Sequence, residues 1–108
     1  MQTVAVLGCS PKADRPSHQI ASYLMDAGYR VIPVNPAVSE ILGEVCYPDL
    51  ASIPEPVDVV NIFRNQAALR DAVNQAVAKG AKGVWLQDGL HDPEAEARAR
   101  KAGLTVVA

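Results

Sequence analysis

Val4-Ala5-Val6-Leu7 runs into Gly8-Cys9-Ser10-Pro11 and then Arg15-Pro16-Ser17; a second apolar run, Tyr29-Arg30-Val31-Ile32-Pro33-Val34, ends in Asn35-Pro36. Between the two runs, Ile20, Tyr23, Leu24 and Ala27 recur at i, i+3, i+4 and i+7, the spacing of one helix face, and Gly28 follows as a helix stop. Residues 3–36 therefore read as strand, helix, strand, with a polar loop after each strand. Pro33 lacks an N–H and belongs near the strand's end or at a bulge.

The same alternation continues outward. Residues 36–56 are rich in proline, with a short edge strand expected near Glu44–Tyr47 and a helical turn at Asp49–Ser52. Val57–Phe63 reads as a third long strand. Residues 66–79 place Leu69, Ala72, Val73, Ala76 and Val77 on one helix face ended by Gly80, and Lys82–Gln87 is a fourth strand. Asp92-Pro93-Glu94 is a helix start, with a capping Asp, Pro at the first helical position and acid in the first turn. Its pairs Glu94–Arg98 and Glu96–Arg100 are each worth ~0.3 kcal/mol and mark a solvent-facing side. Gly103 closes that helix, and Leu104–Val107 is the last strand, expected at an edge that a second copy or a partner could cover. Strands alternating with helices predict an α/β, three-layer, Rossmann-like fold: a parallel sheet of about five strands with helices on both faces. Residues 1–108 form a single domain on this reading.

Composition narrows the function. The 108 residues are 49% hydrophobic and 20% charged, as in ordinary globular proteins. A net charge of −2 without a basic run excludes the electrostatic footprint of nucleic-acid binding. No apolar stretch approaches the ~20 residues of a membrane span. Met1-Gln2-Thr3 leads into a strand without a basic n-region, so no signal peptide is expected. Cys9 and Cys46 make no disulfide framework, and a cytoplasmic location is the expectation.

In open parallel sheets, ligands bind beyond the carboxyl ends of the strands. Those ends are Gly8–Ser17, Asn35–Pro36, Phe63–Asn65 and Gln87–His91. Gly8 permits a sharp turn and close approach of a ligand. Backbone N–H groups near Ser10 and at the start of the first helix suit a phosphate, and Arg15 adds a charge-assisted bond. The loop is not G-x-G-x-x-G, and the second strand ends at Asn35, where an NAD-binding unit offers Asp or Glu to the ribose. Both departures disfavour a NAD(P)-binding domain, and no G-x-x-x-x-G-K-[ST] loop exists.

The strand with its Gly8-Cys9-Ser10-Pro11 loop, Arg15-Pro16-Ser17, Gly28-Tyr29, Val31 to Pro36, Glu40 to Gly43, Val57-Asp58, Phe63-Arg64, Val84 to Gln87 and Ala102-Gly103-Leu104 together resemble the small CoA-binding proteins. They are similar to the CoA-binding domain of the succinyl-CoA synthetase α chain and of ADP-forming acyl-CoA synthetases. The resemblance implies coenzyme A as ligand. It places Gly8, Cys9, Ser10, Arg15 and Ser17 in the loop around its phosphates, and Val34, Asn35 and Pro36 against the adenosine. Phe63 and Arg64 would then lie by the nucleotide's other side or the pantetheine arm. Three features depart from the family. Cys9 replaces a small apolar residue, no basic residue follows Pro36, and the Asp-Arg-Cys segment that follows the last strand in the family is not present before Ala108.

No catalytic residue is assigned. Cys9 sits near a helix N-terminus, where a thiol can be activated, but a small buried cysteine filling the loop is the plainer reading; Cys46 reads as inert. His18 reads as a solvated or capping residue, and the synthetases' catalytic histidine lies in a second domain, so the role passes to neither His18 nor His91. Asp58 and Asp88-Gly89 read as turns, Trp85 and Phe63 as core or pocket wall, and Tyr47 as a loop aromatic able to stack on a purine. No metal-ligand spacing is present. The expectation is non-catalytic binding of CoA or acyl-CoA, the alternative being a subunit that works with a partner enzyme of the acyl-CoA ligase type.

Overall fold

A computed structural model describes residues 2–87 and 89–107. Five strands form one parallel sheet: β1 (Thr3–Leu7), β2 (Arg30–Val34), β5 (Val59–Ile62), β6 (Gly83–Leu86) and β7 (Thr105–Val107), in the order β2-β1-β5-β6-β7. A two-stranded antiparallel hairpin, β3 (Glu40–Ile41) and β4 (Glu44–Val45), stands apart from it. Helices α1 (Pro16–Asp26), α2 (Leu69–Lys79) and α3 (Pro93–Lys101) complete the fold.

The period-two side-chain alternation of the strands sorts the core into two layers. Ala5 and Leu7 of β1, with Val60, Ile62, Val84 and Leu86, pack under α2 and α3 together with Leu50, Ile53 and Val57. Val6 and Val31 face the other way, toward Ala21 of α1, Cys9, Ile41 and Cys46. Helices thus lie on both faces, as the apolar strand runs require. Among the described residues, α1 is the only helix on its side. Trp85 on that face is therefore 47% exposed, rather than core or wall of the ligand rim, and lines a small cleft with Val4, Leu24, Tyr29 and Val59.

Several local expectations change. The edge strand near Glu44–Tyr47 is the two-residue β4, and Tyr47 makes only an isolated parallel bridge to Val34. Asp49–Ser52 is a turn, held by Asp49 Oδ1 accepting from the Ser52 N–H at 2.9 Å and hydroxyl at 2.6 Å. The helix expected over 66–79 opens with a 3-10 turn at Gln66–Ala68, which Asn65 caps by accepting from the Ala68 N–H. Glu96 does not face solvent: it is 3% exposed, accepts from the Asp92 N–H at 2.9 Å and lies 2.9 Å from His91 Nδ1. Asp58 is more than a turn residue. Its carboxylate accepts from the Thr3 N–H at 2.8 Å and pairs with Lys82 at 3.2 Å, fastening the amino-terminal rim of three strands. These two partners, the amide first, hold its pKa below the usual carboxylate value. The reading of Asp88 falls outside the described residues.

Candidate functional site at the strand ends

The chain leaves β1 for β2 on one side and returns to β5 on the other, so the sheet order reverses around β1. Loops after β1 and β5 then part in opposite directions and open a crevice. Gly8 makes this geometry possible. Its φ is +88°, and a Cβ there would lie 2.0 Å from the Phe63 carbonyl oxygen, so no side chain fits. The Phe63 N–H donates to the Leu7 carbonyl at 2.8 Å, and the Gly8 and Cys9 N–H groups donate to the Val34 carbonyl at 3.0 and 3.2 Å. Three of the four expected loops are thereby sewn to one another.

The crevice, of about 350 Å³, is lined by Gly8, Ser10, Lys12, Arg15, Pro16, Ser17 and Phe63. Pro16 and Ser17 open α1, so the positive end of the helix dipole points into it. Arg64 follows Phe63 on the opposite wall, its Cδ 3.5 Å from where a Gly8 Cβ would stand. Among the described residues, Arg30, Arg70, Lys82, Arg98 and Arg100 each meet a carboxylate within 4.0 Å, whereas Lys12, Arg15, Arg64, Lys79 and Lys101 do not, Lys79 donating instead to the Ile53 carbonyl. Three of these unpaired cations, Lys12, Arg15 and Arg64, lie in the loops that follow β1 and β5, on a chain whose net charge is −2, and Asp14 is an exposed acid of the first of those loops. Lys12 is a lining residue that sequence reading passed over; its signal was a lysine two residues beyond Ser10 in a loop already assigned to an anion. A groove of similar volume beside Ala51, Gln75, Ala78 and Lys79 lies on α2, away from the strand ends.

The other expected residues divide into lining groups and supports. The Ser10 N–H is spent on Ser17 Oγ at 2.9 Å, so it is not a free phosphate donor, and Ser10 Oγ accepts from the Lys12 N–H at 3.1 Å. Asn35 supports the loop: its Nδ2 donates to the Cys9 carbonyl and its Oδ1 accepts from the Ala37 N–H, both at 2.8 Å. Val34 turns its side chain into the core and Pro36 is exposed beside it. Tyr47 is not a free loop aromatic, because its backbone exchanges hydrogen bonds with Pro33 and Asn35 and its ring packs on the larger core. At the fourth loop, Gln87 Nε2 donates to Oδ1 of the buried Asn61, and the His91 backbone exchanges hydrogen bonds with the Gln66 side chain.

Both thiols are free and buried. Burial first, and Cys46 second, push the Cys9 thiol up to about 11, the direction that disfavours a thiolate, and its side chain is packed beneath the loop. Its N–H donates to the Val34 carbonyl and its own carbonyl accepts from Asn35 Nδ2. Among the described residues no group of His, Cys, Asp or Glu has the makings of a metal centre, and no helix is long and apolar enough to cross a membrane.

Comparison with known proteins bears on this crevice. The chain is 38% identical over 104 residues to protein YneT of Bacillus subtilis (strain 168), covering 96% of this chain and 77% of that one. A hypothetical protein from Pyrococcus horikoshii OT3 superposes with a TM-score of 0.92 at 42% identity, over 97% of this chain and 74% of the other. Acetate–CoA ligase (ADP-forming) II of Archaeoglobus fulgidus is 30% identical over 97 residues, 88% of this chain but only 14% of the ligase. The model of the CoA binding domain family matches residues 2–108. A parallel sheet that reverses its order around β1, a glycine-enabled crevice there and a family match across the described length converge: the chain belongs to the CoA binding domain family.

Proposed function

We propose that this protein binds coenzyme A or an acyl-CoA and performs no chemistry on it alone. The pyrophosphate enters the crevice between Gly8–Ser17 and Phe63–Arg64, and the adenosine lies along Asn35–Pro36. The observation that carries this reading is that Lys12 and Arg15 line the crevice at the amino-terminal end of α1 and Arg64 approaches it beside Gly8, none of the three meeting a carboxylate among the described residues. Unpaired cations at a helix N-terminus favour a phosphorylated ligand. Neither buried thiol offers a nucleophile, and two free cysteines suit a reducing cytoplasm.

Thermal shift with CoA, dephospho-CoA, NAD, NADP and ATP tests it. A ligand at 100 times its dissociation constant stabilises the fold by about 2.7 kcal/mol, or roughly 10 °C for a domain of this size. A response to CoA that Arg15→Ala weakens about tenfold supports the reading, since a charge-assisted bond is worth ~1.5 kcal/mol or more. A response to NAD alone overturns it.

The second reading, a CoA-binding component acting with a partner enzyme, is favoured by the ligase match, in which this domain is about one-seventh of the whole. The edge strand β7, paired on one side only, is a place for such a partner or a second copy. Turnover of a carboxylic acid, ATP and CoA by the isolated chain would replace both readings with a self-sufficient enzyme.

A further inference from the structure

The two residues that follow Pro16 at the start of α1 grip opposite sides of a single loop residue. Ser17 Oγ accepts from the Ser10 N–H at 2.9 Å, and His18 Nδ1 lies 3.0 Å from the Ser10 carbonyl oxygen. A carbonyl only accepts, so Nδ1 carries the hydrogen and donates. The Ser10 hydroxyl in turn takes the Lys12 N–H at 3.1 Å. One residue thus has its N–H, C=O and hydroxyl all engaged, and the chain of bonds runs from α1 through Ser10 to the lysine of the crevice.

We propose that His18 is a positioning residue for the anion-binding loop. By donating to Ser10 it holds that carbonyl against α1, so that a negative oxygen dipole does not turn toward an incoming phosphate, and it holds Lys12 at the crevice. A loop fixed before binding loses less conformational freedom on binding, which appears as affinity. This inference rests on the anion-binding reading above. It requires nothing of the ring as a charge, only of Nδ1 as a donor. Asparagine, whose Nδ2 occupies a place near that of histidine Nδ1, should therefore replace it, and leucine should not.

The test compares the unmodified protein with His18→Asn and His18→Leu, both first shown by thermal melting to fold. CoA binding is measured by calorimetry, and exchange of the Ser10 and Lys12 amides by NMR without ligand. The expected result is affinity within about twofold for His18→Asn and about three- to tenfold weaker for His18→Leu, the range of one hydrogen bond, with faster amide exchange in His18→Leu alone. Equal affinity and equal exchange in His18→Leu overturn the proposal, as does an asparagine variant as weak as leucine. If the unmodified protein binds no CoA, the CoA reading fails. The exchange data then decide the clamp separately: unchanged exchange in His18→Leu ends it, and faster exchange reversed by asparagine sustains it.

Discussion

Gly8→Ala isolates the contact on which the crevice depends. The added methyl meets two costs. At φ +88° an L residue is disfavoured by about 1–2 kcal/mol. The new Cβ also lies 2.0 Å from the Phe63 carbonyl oxygen, where one of the two loops must shift by about 1 Å, an overpacking cost of about 1–3 kcal/mol. The sum, about 2–5 kcal/mol, is a large share of the roughly 5–16 kcal/mol expected for 108 residues. At ~5 °C per kcal/mol, the melting temperature should fall by roughly 10–25 °C. Gly28→Ala is the control. Its φ is +94°, but nothing lies within 4 Å of its Cβ, so it meets only the backbone cost. Urea unfolding of both variants should separate them by the steric part, about 1–3 kcal/mol. Gly8→Ala no less stable than Gly28→Ala would show that the β1 and β5 loops do not approach as described, and the crevice would lose its floor.

Further outcomes follow from the titrating groups. Because the folded-state pKa of Asp58 is depressed by the Thr3 amide and Lys82, its stabilisation is present above the unfolded value near pH 4 and is lost as pH falls through the folded value. Melting temperature measured from pH 6 to 2 should drop less steeply in Asp58→Asn than in the unmodified protein, and superimposable slopes would contradict the assignment. Cys9 has the opposite sign: its raised pKa leaves its contribution intact below about 9 and removes it as pH climbs toward about 11. Alkylation at pH 8 should modify neither cysteine until the chain unfolds; rapid labelling of Cys9 in the folded state would make it a reactive thiol rather than a filler.

The order of elements and the two-faced burial of the strands were legible in the sequence, because apolar periodicity, the glycine stops and the Asp92-Pro93 start are all local signals. The loop that lines the crevice was legible too, since Gly8 and Arg15-Pro16-Ser17 lie within one short stretch. Local reading failed where a partner comes from elsewhere in the chain. Glu96 carries the spacing of a surface ion pair, yet it is buried because the helix start folds His91 and the Asp92 amide over it. Nor does the sequence show that the Asn35 side chain ties the first loop to the second through the Cys9 carbonyl and the Ala37 N–H. Trp85 sits in an apolar run, and only the placement of α1 over β1 and β2 leaves it half exposed.

By itself, then, the sequence determined the strand–helix alternation, the absence of a dinucleotide fingerprint and the polar loop after the first strand. Only the tertiary structure decided that β1 sits between β2 and β5, that Gly8 touches the backbone of Phe63, and that Lys12 and Arg15 line the crevice that Arg64 approaches beside Gly8. The reason is range. Propensity and periodicity act over a few residues and can be read along the chain. Strand order, close backbone approach and the pairing or isolation of a charge depend on which distant segments the shared core brings together.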